Sequence, residues 1–379
     1  MPTLSQAHSP MSSRLIGFAA GAGHGSTYAV PLGSSDADQD NGYSSSYYHI
    51  STSTISVRHR FERRLVINPL ITANPDLLWV DSYLGDYPQP LPHTQAARAI
   101  LSSPLGRVRA APKWMLLSLN KRATASSGTN ASLAFNEDIR TWWSADTGDA
   151  GEWLEVDLGG EYTVNAVQIN FADQDCSIVG ERPAATDAYR YYAEYCTEKA
   201  SSACAWTSIP ALNRSANDRD MPHDYVELAS PLTGVTHMRI TNVHMPGHAK
   251  FSVSGFRVFG LGPKGGAAPA AVPADAVKAV RDENDPRHAT VSWSKSEGAE
   301  FYVIRYGIAS ASTHTDTHTD TRTDTRTDTH AMAYSTVHNL QVYGGTTAEI
   351  RSLVVGQEYV FVVDAVNSNG VTYGQQPKN

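Results

Sequence analysis

Apolar and polar residues alternate with a period of two along most of this chain. The pattern is clearest in "EWLEVDLG" (152–159), "TVNAVQINF" (163–171), "YRYYAEYC" (189–196), "DYVELAS" (224–230), "HMRITNV" (237–243) and "VSGFRVFG" (253–260). Alternation puts successive side chains on opposite faces of a strand, so each run predicts a strand with one face buried. Gly, Pro, Asn and Asp separate the runs, which is the spacing of an all-β sandwich. Similar runs precede them, "STSTISVRH", "RRLVINPLI" and "LLWVDSYLGDY", and follow them, "ATVSWSKSEGAEFYVIRYG", "LQVYGGTTAEIRSL" and "QEYVFVVDAVNSNG". Helical periodicity is nearly absent, and the whole chain reads as all-β.

Shifts in composition divide it. Residues 1–111 are rich in Ser, Tyr and Pro and end in a connector, "PHTQAARAILSSPLGRVRAAP", with one helical turn. Residues 112–262 form the predicted sandwich, and 263–275 a Gly/Ala/Pro linker too poor in large apolar groups to pack. Residues 276–379 carry the last strands, interrupted by a low-complexity insertion at 311–331. Within it, Thr313–His330 repeats Thr-His/Arg-Thr-Asp without an apolar residue, so burial cannot offset the entropy of ordering it. Its alternating His and Asp are a metal-binding composition, but an expanded loop between two strands is the plainer reading.

The 379 residues, 41% hydrophobic and 18% charged with a net charge of −8, describe a multidomain globular protein. No concentrated basic face exists, which argues against nucleic acid as a partner. No apolar run approaches the roughly 18 residues of a membrane helix, which argues against insertion. "RLIGFAAGAG" is short for a signal peptide and reads as a strand, so no convincing export signal is found. Cys196 and Cys204 flank a polar hairpin tip, where a disulfide and two free thiols are equally compatible with the sequence; Cys176 is left over. Asn130-Ala-Ser132 and Asn213-Arg-Ser215 are glycosylation sequons.

"NEDIRTWWSA" followed by "GEWLEVDLG" and "TVNAVQINF" resembles the discoidin fold, the coagulation factor 5/8 type C domain, shared by carbohydrate-binding modules of family 32. Asn136, Asp138 and Thr141 place hard oxygen donors in one turn, which suits Ca2+, and the resemblance implies a structural calcium there. Trp142, Trp143 and Trp153 invite sugar stacking, but the resemblance puts Trp142 and Trp153 in the core. It puts sugar contacts on loops at one end of the sandwich, which makes Asp173, Gln174, Asp218, His223 and His248 the candidates for binding carbohydrate hydroxyls. His223, His244 and His248 lack the spacing of a zinc motif.

"RDENDPRHATVSWSKSEGAEFYVIRYGIA" resembles the first half of a fibronectin type III module, with Trp293 buried, Tyr302 and Tyr306 on the next strand, and Tyr359 as the recurring tyrosine. With "GHGST", "TISVRHRFERRL" and "YLGDYPQPLP" ahead of these modules, the whole is similar to the C-terminal portion of glycoside hydrolase family 43 proteins. That resemblance implies a β-propeller at the start, with His24 as a ligand on its axis, and an extracellular location. A propeller needs several four-stranded blades, more than residues 1–111 supply, so the expectation is an incomplete remnant. Glycoside hydrolysis needs two carboxyls at a set separation, and Glu62, Asp76, Asp81 and Asp86 offer no assignable pair. The expected protein is a carbohydrate-associated binder without a complete catalytic site. The alternatives are a fragment of an active hydrolase and a cell-surface adhesion protein.

Overall fold

A computed structural model describes residues 20–31, 45–54, 64–74, 77–80, 83–88, 112–178, 184–309, 338–351 and 353–375. The repeat at 313–330 and the carboxylates Glu62, Asp76 and Asp81 lie outside these residues. Among the described residues no helix is long and apolar enough to cross a membrane.

The first part is a four-stranded antiparallel meander of β1 (Ala20–Pro31), β2 (Ser45–Thr54), β3 (Arg64–Asn74) and β4 (Leu77–Val80). No closed propeller forms among the described residues. His24 lies on β1 where the register with β2 shifts between Gly23 and Ser26; its side chain is outside the described part.

The middle part is built from β5 (Met115–Leu116), β6 (Arg122–Ala125), β7 (Trp143–Ser144), β8 (Trp153–Phe171), β9 (Arg190–Cys196), β10 (Thr207–Ser208), β11 (His223–His244) and β12 (Ser252–Leu261). Its spine is the antiparallel pair of two long strands, β8 and β11, which run from Leu154 opposite Ile240 to Ile169 opposite Asp224. Both bend midway at left-handed glycines, Gly159 (φ 80°) and Gly234 (φ 71°). Only glycine adopts that backbone without a steric cost, and the Asp157 carboxylate fixes the first bend by accepting the Gly159 N–H at 2.8 Å. The bends fold the sheet onto itself: Leu154, Val156 and Leu158 from one half of β8 and Val164, Val167, Ile169 and Phe171 from the other fill one core. The two free ends of the pair therefore emerge on the same side.

Trp143 is the tryptophan at the centre of that core, 0% exposed and edge-on to Phe251 at 5.5 Å. The expectation that Trp142 and Trp153 are the core residues is thereby corrected. Trp143 opens β7 and enters the core, while Trp142 just before it takes the other side. Both Trp142 and Trp153 are half-buried.

The third part is a sandwich of two sheets. One holds β13 (Lys278–Arg281), β14 (Ala289–Ser292) and β17 (Thr347–Ile350); the other β15 (Phe301–Ile308), β16 (His338–Tyr343), β18 (Tyr359–Asn367) and β19 (Gly370–Thr372). Trp293 packs edge-on to Tyr302 at 5.4 Å, and Tyr306 is buried beside it on β15. The Tyr359 hydroxyl accepts the Val354 N–H at 3.0 Å, tying the strand start to the chain before it.

The 263–275 stretch packs along this sandwich instead of hanging free. Val272 is buried in its core, the Ala270 N–H donates to the Glu297 carbonyl at 3.0 Å, and Asn367 Nδ2 donates to the Ala267 carbonyl at 3.1 Å. Small side chains let the backbone come close enough for these bonds.

Residues 83–88 lie between the two sandwiches. Tyr83, Leu84 and Tyr87 join Ala166 and Phe259 of the middle part and Phe301, Val303 and Val366 of the third in one apolar cluster. Each buried Leu, Val or Phe among them contributes about 1.5–3 kcal/mol. The Tyr83 hydroxyl donates to Asp364 Oδ2 at 2.9 Å, and Asp364 also pairs with Arg305 at 2.7 Å.

Candidate functional site

Because β8 and β11 double back, the loops 145–152, 172–178, 184–189, 213–222 and 245–251 gather at one end of the middle sandwich. Backbone bonds hold them together: Phe251 N–H to the Thr147 carbonyl (3.0 Å), Lys250 N–H to the Gln174 carbonyl (2.9 Å) and Ser177 N–H to the Gly247 carbonyl (2.9 Å). Gly247 has φ 60°, and a Cβ there would meet the Cys176 sulfur at 2.9 Å, so this loop contact requires glycine.

A chain of polar contacts crosses the surface of this end. Trp142 Nε1 donates to Gln174 Oε1 at 3.0 Å, Gln174 Nε2 donates to Asp175 Oδ1 at 2.7 Å, and Asp175 Oδ2 pairs with Lys250 Nζ at 3.3 Å. The hydrogen bond from Gln174, more than the Lys250 contact, holds the Asp175 carboxyl below the usual aspartate range. The result is an oriented indole beside a carboxamide, a carboxylate and an ammonium. Beneath them Asp173, in the left-handed region at φ 54°, accepts the Tyr189 hydroxyl at 2.7 Å.

A second pair closes the neighbouring loop. His244 Nε2 lies 2.8 Å from Asp187 Oδ1, and the Gly247 N–H donates to Asp187 Oδ2 at 3.0 Å. Burial would raise the Asp187 carboxyl, but the His244 and Gly247 hydrogen bonds and the nearby His248 outweigh it and bring it below its ordinary value.

Of the expected carbohydrate contacts, Asp173, Gln174 and His248 come together here, His248 exposed on its loop. Asp218 is exposed on the adjoining loop, next to Asn217, whose Nδ2 donates to the Tyr189 carbonyl at 2.8 Å. His223 belongs elsewhere. Its Nδ1 faces Asn170 Oδ1 at 3.2 Å and its Nε2 faces Gln168 Nε2 at 3.0 Å, a set that places the proton on Nδ1. Gln168 in turn accepts from Arg257, so His223 leads to the interface between the sandwiches. Trp142, Asp175 and Lys250 were not among the expected contacts; the adjacency at "WW" was the signal that the two indoles could take opposite sides.

The other aromatic surface is already occupied. Arg239 stacks its guanidinium between Trp153 (4.4 Å) and Trp206 (4.0 Å) and pairs with Glu155 at 2.7 Å. One face of each indole is thereby taken by a cation.

The turn expected to hold calcium closes on itself. Asn136 Nδ2 donates to Thr141 Oγ1 at 2.8 Å, and the Thr141 hydroxyl donates to the Asp138 carbonyl at 3.1 Å. Both Asp138 oxygens are engaged by the Arg140 guanidinium at 2.7 Å, whose hydrogen bonds lower the carboxyl from its usual range. Glu137, between them, turns inward to Arg257 at 2.8 Å. Guanidinium groups thus neutralise both carboxylates of the turn, and its side chains as arranged do not fit a calcium ion. Among the described residues, one His/Cys/Asp/Glu group has metal-ligand spacing: Cys196, Cys204 and His237, and its two cysteines form a disulfide.

A doubled-over antiparallel pair with its loops gathered at one end makes the middle part a β-sandwich consistent with the discoidin class. Residues 119–231 match the family model of the F5/8 type C domain. Among solved structures the chain is similar to chitosan-binding module 1 of a chitosanase/glucanase from Paenibacillus sp. IK-5, at 25% identity over 38% of this chain and 99% of that one, TM-score 0.31. Module 2 of the same enzyme, in complex with chitotriose, is 20% identical over 38% and 99%, TM-score 0.31. The family 32 module of NanJ from C. perfringens, in complex with galactose, is 18% identical over 38% and 98%, TM-score 0.28. No curated protein matches the chain.

Proposed function

We propose that the middle module binds carbohydrate at its loop end, with Trp142 as the stacking platform and Gln174, Asp175, Lys250 and His248 as partners for sugar hydroxyls. The observation that carries this reading is the hydrogen-bonded series from the Trp142 indole through Gln174 and Asp175 to Lys250. Pyranose recognition needs an apolar face and a few convergent polar groups, which is what the series supplies. The F5/8 type C match over 119–231 supports the same reading. Glycan-array screening followed by calorimetry on the full chain tests it. Binding that survives Trp142→Ala, or silence toward every sugar by folded protein, would overturn it.

The four-stranded meander supports a finer reading, a relative of family 43 glycoside hydrolases that lacks a complete catalytic site. Such a meander is the unit of a propeller blade, and His24 sits in its first strand. Asp86 is committed to Arg257, which removes one carboxylate from any acid/base pair. Turnover of aryl xylosides or arabinosides by the purified chain would favour the alternative, a fragment of an active hydrolase.

A further inference from the structure

The hairpin between β9 and β10 gathers groups that the sugar site does not use. Cys196 and Cys204 are joined there in a disulfide. His237 stands directly opposite Cys196 in the register of β11 and β9. The two sulfurs and a ring nitrogen of His237 lie within 4.8 Å of one another. A fourth donor is at hand, since Glu198 Oε2 is 2.9 Å from the Cys196 sulfur. Two sulfurs, an imidazole and a carboxylate are the donor types of a tetrahedral zinc site.

The supports around these groups are those of a metal site. Cys196 and His237 are buried and held by paired strands, whereas Cys204 and Glu198 are half-buried on the loop between β9 and β10. Thr236 Oγ1 is 3.0 Å from His237 Nδ1, and Asp157 Oδ1 is 3.8 Å from Nε2. Only Thr236 is within hydrogen-bond reach, so it can orient the ring through Nδ1 and leave Nε2 for a metal.

We propose that reduction of the Cys196–Cys204 disulfide converts this hairpin into a zinc site, with Cys196, Cys204 and His237 as ligands and Glu198 as the fourth. The reductant is a dithiol. Its thiolate attacks one sulfur and breaks the S–S bond; its second thiol then closes on the mixed disulfide, so the dithiol leaves oxidised. Both cysteines end as thiols, and zinc takes their sulfurs as thiolates and releases the two protons to solvent. The hairpin is thus closed by a covalent bond in oxidising surroundings and by a metal in reducing ones.

The test uses the full chain, reduced with a dithiol, freed of it without air, and titrated with Zn2+ against a chromophoric chelator. Co2+ serves as the spectroscopic probe, because thiolate ligation gives it a charge-transfer absorption. The reduced chain takes up one zinc more than the oxidised chain, and its Co2+ form shows the thiolate band. Glu198→Gln, on the surface loop, weakens zinc about tenfold without moving the melting midpoint of the metal-free reduced protein. Cys196→Ser/Cys204→Ser loses the extra zinc and the band. Equal uptake by oxidised and reduced protein, a missing thiolate band, or uptake unchanged in the double variant overturns the proposal, the last by placing the metal elsewhere, as in the Thr-His/Arg-Thr-Asp tract.

Discussion

Asp86 and Arg257 are 171 positions apart in the chain, yet Arg257 Nη2 lies 3.1 Å from Asp86 Oδ2. The guanidinium is 1% exposed and also holds Glu137 at 2.8 Å and Gln168 Oε1 at 2.7 Å. Asp86 Oδ1 accepts from Gln341 Nε2 of the third part at 2.8 Å, so one carboxylate links three regions of sequence. Burial pushes the Glu137 carboxyl up, and Arg257 opposes the shift. Burial also works against the charge of Arg257, but Glu137 and Asp86 outweigh it and hold its pKa above the ordinary value.

Arg257→Ala leaves two buried carboxylates without their cation and is expected to destabilise the chain by about 3–5 kcal/mol, or to prevent folding. Asp86→Ala leaves Arg257 its Glu137 partner and costs less, while loosening the third part from the middle. Urea unfolding measures the first effect, and protease cleavage between the two sandwiches the second. Equal and small losses, under about 1 kcal/mol, would show that the network is not structural.

The two adjacent tryptophans separate by role. Trp143→Ala empties the centre of the core and costs about 3–5 kcal/mol in denaturant unfolding. Trp142→Ala changes stability by about 1 kcal/mol or less and reduces sugar affinity about tenfold or more. A reversed pattern would refute the assignment of Trp142 to the loop surface.

Lysing the Asp187–His244 contact with acid should open the loop end first. The folded pKa of Asp187 lies below its unfolded value, about 3.9. Its contribution is therefore present above pH 4 and lost as pH falls through the lower folded value. Hydrogen exchange at 184–189 and 244–248 should rise in that window, and Asp187→Asn should show the faster exchange already at neutral pH.

Calcium is expected to leave the melting midpoint where it is, because Arg140 and Arg257 already neutralise Asp138 and Glu137. A chelator-sensitive midpoint would put a metal back in the turn. Arg140→Ala, which frees Asp138, is the variant most able to create a calcium response.

Much of the fold was legible because alternation is a local property. The runs around Leu154, Ile169 and Ile240 needed no knowledge of their partners to be read as half-buried strands. Trp293, Tyr302 and Tyr306 entered the third core as their pattern required. The candidate site was half legible: Asp173, Gln174 and His248 share the loop end, but His223 turned to Gln168 and Asn170, because both ring nitrogens found partners on β8. The linker misled, since Ala and Gly lack apolar bulk, whereas its packing rests on Val272 and on hydrogen bonds made to its backbone.

The sequence by itself determined an all-β chain and the faces of most strands, because side-chain alternation is imposed by the strand backbone. Only the tertiary structure decided which tryptophan is core, which acids are neutralised and whether Cys196 meets Cys204. Those outcomes depend on which side chains meet once the chain has folded, as where the β9–β10 hairpin closes Cys196 on Cys204. No local pattern encodes a contact between Asp86 and Arg257, whose energy arises from burial that neither residue has alone.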